Sequence, residues 1–193
     1  GKEDVDSFLK GKPVAKPQSS VASHARYWDV DHSQFGSVSA EPMNRMAQVA
    51  SANLSAANAM IPQVTHHDRA DMREVEVFRA KMKQESLEKG IKLTALAFHI
   101  KILSRCLKDF PHFNASLSAD GQTLYLKNYV HVAIAVDTPH GLMVPVIRNA
   151  DQKGLWKIAR EVSELATRAQ SRKLGPSEMG GASMSISNLG GIG

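Results

Sequence analysis

Val132-Ala-Ile-Ala-Val-Asp-Thr-Pro-His-Gly-Leu-Met-Val-Pro-Val146 sets two apolar runs on either side of a polar break. Val and Ile favour pleated backbone because their branched side chains are stiff at χ1, whereas Asp, Thr, Pro, His and Gly favour turns. The pattern predicts a β-hairpin that turns between Asp137 and Gly141, with strands in Tyr129 to Val136 and Leu142 to Ile147. Upstream, Thr123 to Leu126 is also β-rich. Downstream, Leu155, Ile158, Val162 and Leu165 recur at helical spacing and predict an amphipathic helix to about Lys173. Past Gly180 and Gly181 the chain alternates, with Ala182, Met184 and Ile186 on one face and Ser183, Ser185 and Ser187 on the other. That is the period of a half-buried strand.

The first half of the chain has helical period. Ser39 is placed to cap a helix with Pro42 in its first turn, running through Met43, Met46, Val49 and Leu54 to about Met60, where Pro62 stops it. A short extended run, Gln63 to His67, follows. Asp71 and Glu74 form a D-x-x-E capping pair ahead of Val75, Phe78 and Met82, predicting one helix to Gly90. Thr94 opens the next, where Leu96, Ile100, Leu103, Leu107 and Phe110 repeat at 4-3-4-3, Phe98 and Ile102 widen the apolar face, and Pro111 closes the end. Helices, a hairpin, a helix and a strand in that order predict a mixed α/β, α+β-like fold with helices layered on a largely antiparallel sheet.

The 193 residues, 42% hydrophobic and 22% charged, suit one ordinary domain and an appendage, and argue against disorder or a fibrous repeat. The longest apolar runs fall far short of the ~20 residues of a membrane-spanning helix, so no membrane association is expected. Cys106 is the single cysteine; it rules out an intrachain disulfide and fits a reducing, cytoplasmic location. Residues 1–10 are acidic and mixed rather than signal-like, with Val5, Phe8 and Leu9 at helical spacing. Residues 11–29, rich in Pro, Lys, Ala and Ser, read as a flexible linker. The second module then starts near residue 30. Its last strand runs into a glycine loop at 189–193, so both ends are expected to be cut.

The net charge of +5 is spread along the chain without a Lys/Arg stripe interleaved with aromatics, which argues against a nucleic-acid groove. Among eight histidines, His66 and His67 are adjacent and would face opposite ways on a strand. His99 falls on the polar side of a helix, His131 in a strand, His112 and His140 in turns. No zinc-ligand spacing occurs, so no metal is expected. Cys106 lies on a helix near Arg105 and Lys108, where packing is the simpler role. Ser187, last on its strand face and followed by glycines, could donate to an oxyanion; by pattern alone a solvated serine face serves equally. Asp137 opens the hairpin turn, where an Asx-turn is the ordinary role.

Four stretches together resemble the catalytic domain of the dihydrolipoamide acyltransferases, the core components of 2-oxo acid dehydrogenase complexes. They are Ile61-Pro-Gln-Val-Thr-His-His-Asp68, Phe113-Asn-Ala-Ser-Leu117, the hairpin segment Val132 to Val146, and Ser185-Ile-Ser-Asn-Leu-Gly-Gly-Ile-Gly193. The A-V-D-T-P-x-G-L-x-V-P-V form looks most like the acetyl-transferring branch found in bacterial pyruvate dehydrogenase complexes. The resemblance implies a chloramphenicol-acetyltransferase-like sandwich of helices on a mixed sheet, C-terminally incomplete here, over residues 30–193. It also implies that residues 1–10 end a peripheral subunit-binding domain. The implied chemistry is acetyl transfer between coenzyme A as substrate and a dihydrolipoyl thiol, the lipoyl group being carried on a domain absent from this chain. The implied partners are homotrimer mates in a larger core and the pyruvate dehydrogenase and dihydrolipoamide dehydrogenase components. By motif, Ser187 matches the oxyanion serine and Asp137 the active-site aspartate, while no coenzyme-binding residues are assigned. The family's general base belongs to a D-H-R-x-x-D-G motif that none of the eight histidines occupies. The chain is therefore expected to lack its proton acceptor, and a non-catalytic core-assembly fragment is the alternative.

Overall fold

The computed structural model describes residues 29–139 and 141–188. The expected subunit-binding helix at 1–10, the tether up to residue 28, His140 and the glycine loop at 189–193 lie outside the described residues. The chain divides into two units, residues 1–44 and 45–193. In the first, Asp31 accepts from the Ser33 backbone N–H at 3.0 Å and so caps a 3-10 turn, His32–Phe35. Among the described residues, the α-helices and sheets lie in the second.

Helix α1 spans Arg45–Met60 and buries no residue, so it starts later than Ser39 and Pro42 predict. Pro42 biases Glu41 away from helical backbone. The single helix expected over 71–90 is two, α2 (Arg73–Lys81) and α3 (Lys83–Lys89). They join at Met82, which adopts φ −81° and ψ 0° and packs against the core. Asp71 does not form the predicted capping pair. Its carboxylate takes the backbone N–H and the guanidinium of Arg73, and Met72 occupies the cap position without a side-chain bond.

Helix α4, Ala95–Asp109, is the centre of the core, burying Ala97, Ile100, Ser104 and Leu107 at a 3-4-3 spacing. That stripe is narrower than expected, because Ile102 is 52% exposed and Phe110 60% exposed. Phe98 does pack inward, edge-on to Phe78 with ring centres 6.0 Å apart. Cys106 is exposed, so the packing role expected for it does not hold.

Five short strands follow: β1 (Ala115–Leu117), β2 (Leu124–Leu126), β3 (Val132–Ile134), β4 (Val146–Ile147) and β5 (Met184–Ile186). β1 and β2 pair antiparallel as a separate sheet. Sequence pattern missed β1, and the Gln63 to His67 run forms no ladder among the described residues. The other sheet has the order β4-β3-β5. β3 and β4 are the predicted hairpin, antiparallel with Val132 opposite Ile147 and extended by a bridge between Val136 and Met143. β5 runs parallel to β3. This sheet is mixed, where periodicity alone predicted a largely antiparallel one; a strand's period carries no information about its neighbour's direction.

Between β4 and β5 lies helix α5, Leu155–Gln170, which buries Ile158, Ala159, Leu165 and Ala169. The sheet's apolar face, Val132, Ile134, Ile147, Met184 and Ile186, shares one core cluster with Ile100, Leu107, Ile158 and Leu165. Each such aliphatic side chain removed from water contributes about 1.5–3 kcal/mol before entropy is counted. Polar pins complete the layer. Lys101 Nζ donates to the carbonyls of Asp151 and Lys153 at 2.9 and 2.8 Å. The buried Asn114 Nδ2 donates to those of Lys127 and Tyr129, both at 2.9 Å.

Candidate active site

The register of β5 places Ser187. Met184, Ser185 and Ile186 stand opposite Val132, Ala133 and Ile134, and the Ala135 N–H donates to the Ile186 carbonyl at 3.0 Å. Ser187 is thus level with Ala135, two residues before Asp137. With strands about 4.8 Å apart and a rise of about 3.3 Å per residue, the Cα atoms of Ser187 and Asp137 are about 8 Å apart. Because Met184 and Ile186 are committed to the core, the alternation turns Ser185 and Ser187 to the opposite face, where both are exposed. The carboxyl ends of parallel strands are where open α/β sheets present ligand-binding groups.

Asp137 sits at the start of the turn that joins β3 to β4. Gln170 Nε2, at the end of α5, donates to its backbone carbonyl at 2.6 Å. Thr138 is 7% exposed, and its hydroxyl donates to the Gly141 carbonyl at 2.7 Å. Gly141 has φ +116°, a conformation that L-residues rarely adopt. The Asp137 side chain is exposed. The two residues singled out from sequence are therefore brought to one end of the sheet, and their side chains carry no protein hydrogen bond among the described residues.

Among the described residues, no histidine is bonded to either side chain. His131 is level with Ser183, whose N–H donates to the His131 carbonyl at 2.7 Å, so it is four strand positions, about 13 Å, from Ser187. Its Nδ1 accepts from the Asn149 N–H at 3.0 Å and its ring stacks on Tyr129 with centres 4.5 Å apart. His66, His67, His99 and His112 are exposed. Among the described residues, no group of three or more His, Cys, Asp or Glu side chains could hold a metal ion.

Concavity does not point to Ser187 either. One cavity of about 600 Å³ lies along α5 and β4, lined by Arg148, Trp156, Arg160, Arg168 and Glu178 among others. Another of about 940 Å³ lies along α2. Neither is lined by Ser187 or Asp137; a pair of strand ends has no walls of its own.

The approach to β5 is held by residues that sequence reasoning overlooked. Arg168 of α5 grips Glu178 with two hydrogen bonds, at 2.6 and 2.7 Å, and Glu178 Oε2 also accepts from the Gly175 N–H at 2.9 Å. Arg148 Nη2 donates to the carbonyls of Ser177 and Gly180 at 2.7 and 3.0 Å. The only sequence signal for Arg148 is a cation directly after an apolar run. The Arg168 guanidinium, then the Gly175 N–H, hold the Glu178 carboxyl below its ordinary pKa. A depressed carboxylate adds stability above its unfolded pKa and loses it as pH falls through its folded value. Glu178→Gln should therefore lower the melting temperature at neutral pH. The gap between variant and wild type, followed by thermal denaturation, should narrow as pH falls below 4.5. A gap independent of pH would contradict the pairing.

The family model for the 2-oxoacid dehydrogenases acyltransferase catalytic domain matches residues 35–193. The chain belongs to this acyltransferase family. It is 43% identical, over 99% of its length, to the dihydrolipoyllysine-residue acetyltransferase component of the pyruvate dehydrogenase complex from Cupriavidus necator. It is also 43% identical, over its whole length, to the corresponding component from Azotobacter vinelandii. The chain spans 36% and 31% of the length of these two relatives. Among solved structures it is similar to the Azotobacter vinelandii dihydrolipoamide acetyltransferase, solved to probe the roles of a serine, a histidine and an asparagine in its catalytic mechanism. The TM-score is 0.82 at 46% identity, covering 85% of this chain and 68% of that one. The cubic core of the pyruvate dehydrogenase multienzyme complex matches with the same values. These relatives support the chloramphenicol-acetyltransferase-like α/β architecture read from the motifs. Among the described residues no helix is long and apolar enough to cross a membrane.

Proposed function

We propose that this chain carries the oxyanion half of an acetyltransferase site that moves acetyl groups between coenzyme A and a dihydrolipoyl thiol. The observation that carries this is the exposed Ser187 hydroxyl at the carboxyl end of β5, beside the turn that presents Asp137, in a member of the acyltransferase family. In the reaction a base removes the dihydrolipoyl S–H proton, and the thiolate adds to the thioester carbonyl. The Ser187 O–H donates to the resulting oxyanion. Collapse expels coenzyme A as a thiolate, which takes the proton back from the base. Preorganised donation to a charge present only in the transition state speeds the chemical step rather than substrate binding. Asp137 supplies a carboxylate at the rim, and residues other than the described histidines serve as the base.

The lipoyl group belongs to a separate domain. We place the protein in the bacterial cytoplasm, with residues 1–10 ending a peripheral subunit-binding domain, 11–29 as tether and 30–193 in the catalytic domain. Its partners are the pyruvate dehydrogenase and dihydrolipoamide dehydrogenase components and its own copies, as homotrimers in a larger core. One observation favours assembly, with or without catalysis. α1 buries no side chain, and the β1–β2 ribbon exposes Leu117, Leu124, Tyr125 and Leu126, each by 47% or more. A two-stranded ribbon is marginal by itself and gains from being covered.

The test assays the 193-residue chain and the complete acyltransferase for acetyl transfer from acetyl-CoA to dihydrolipoamide, with mass measured by light scattering. Turnover by the complete protein alone, with multiples of three in the mass, is expected. Equal turnover by both would overturn the assignment of the base to other residues, and a purely monomeric complete protein would overturn the trimer.

A further inference from the structure

β5 carries Ser187 on very little. Among the described residues it is a three-residue edge strand with a neighbour on one side only. Its pattern fixes the face but not the position: Met184 and Ile186 must point to the core, so a slip of one residue would bury serine hydroxyls and expose both apolar side chains. A slip of two residues keeps every face correct, because Ser183, Ser185 and Ser187 alternate identically. It would move Ser187 about 6.6 Å along the sheet and leave Ser185 in its place. The pattern of faces therefore leaves the register to core packing and to bonds made outside the strand.

We propose that Arg148, assisted by the Arg168–Glu178 pair, is the positioning clamp that selects the register of β5 and so places Ser187; this rests on the acyl-transfer assignment of Ser187 above. The ladder supplies the geometry. Ile147 is opposite Val132 and Val132 opposite Met184, so Arg148, next after Ile147, is level with Ser183 across β3. From β4 its guanidinium reaches the segment entering β5, holding the carbonyls of Ser177 and Gly180, which lie seven and four residues before Met184. Gly181, at φ +82°, turns the chain into the strand, and a Cβ there would contact Arg148 Nη1 at 3.7 Å. Arg168 ties the same segment to α5 through Glu178 and also holds the Lys173 carbonyl at 2.9 Å. The entering segment is anchored to β4 and to α5, and a two-residue slip would break both carbonyl bonds of Arg148. Charge-assisted bonds to carbonyls are the stronger kind, and a fixed guanidinium fork is selective for where they lie.

Arg148→Ala and Arg148→Lys would be made in the complete acyltransferase, with Ser187→Ala as reference. Steady-state kinetics would be measured well below the unfolding temperature, and amide hydrogen exchange followed over residues 183–187. Arg148→Ala is expected to lower kcat about 10- to 100-fold, the scale for a misplaced catalytic group, with KM for acetyl-CoA unchanged. Exchange in β5 should speed up while that in α4 stays constant. Arg148→Lys, which keeps a cationic donor but not the planar guanidinium, should recover only part of the loss. A kcat for Arg148→Ala equal to wild type, or unchanged exchange in β5, would overturn the clamp even if the melting temperature fell. Should Ser187→Ala itself turn over like wild type, the site assignment fails instead, and the exchange measurement still decides whether Arg148 holds β5.

Discussion

Ser187→Ala in the complete acyltransferase is expected to lower kcat by about 10² to 10³-fold, the scale of losing one oxyanion donor, with KM for acetyl-CoA nearly unchanged. The split follows from when the charge exists. A thioester carbonyl is a weak acceptor in the ground state, and its oxygen becomes anionic only as the thiolate adds. The exposed hydroxyl has no competing protein bond among the described residues, so its removal costs little stability. Ser185→Ala is the control. It lies two positions back on the same face, about 6.6 Å away, and should keep wild-type kinetics. Rates of acetyl transfer to dihydrolipoamide check both, and a Ser187→Ala enzyme as fast as wild type would remove this serine from the mechanism.

Ile134→Ala is expected to destabilise the fold by about 2–5 kcal/mol, the range for truncating a buried aliphatic side chain to alanine. Ile134 is 1% exposed on the middle strand of its sheet and belongs to the cluster shared with α4 and α5. The cavity would open where helix and sheet layers meet, with β3 held on both sides and little able to collapse. For a chain of this size that is a fall of roughly 4–20 °C in Tm. Ile102→Ala provides the contrast. Ile102 is equally apolar but 52% exposed, and its truncation should fall within about 0.5 kcal/mol of wild type. Denaturant titration of both variants measures the difference, and equal losses would contradict the burial described for α4.

Much of this was open to sequence reasoning where one element's own pattern suffices. Ile100 and Leu107 of α4, the apolar positions of α5, the β3–β4 hairpin and the serine face of β5 each follow from local period, since one stripe or one face must leave water, whereas the buried Ala97 and Ser104 were not read from it. The motifs around Asp137 and Ser187 also pointed to the family, which the match over residues 35–193 bears out. Where two features competed locally, the pattern misled. Asp71 was expected to pair with Glu74 at a helix start, and its carboxylate instead takes the backbone N–H and the guanidinium of Arg73, the first residue of α2. Gln63 to His67 has strand composition but no ladder partner among the described residues. Met82 had the right spacing for an unbroken helix, yet the chain bends there as its side chain packs on the core.

By itself, then, the sequence determined the buried face of α5 and of β3 to β5, because hydrophobic period is a property of a few neighbouring residues, but not whether a partner covers the apolar stripe of α1, which buries no residue. Only the tertiary structure decided what depends on residues distant in the chain: that β5 runs parallel to β3, that Ser187 and Asp137 end within about 8 Å of each other, and that Arg148 reaches two carbonyls some thirty residues away. The alternation of β5 fixes its faces and leaves a two-residue slip open. The bonds that Arg148 makes to the segment entering β5 are proposed to close it, and so to set where the Ser187 hydroxyl stands.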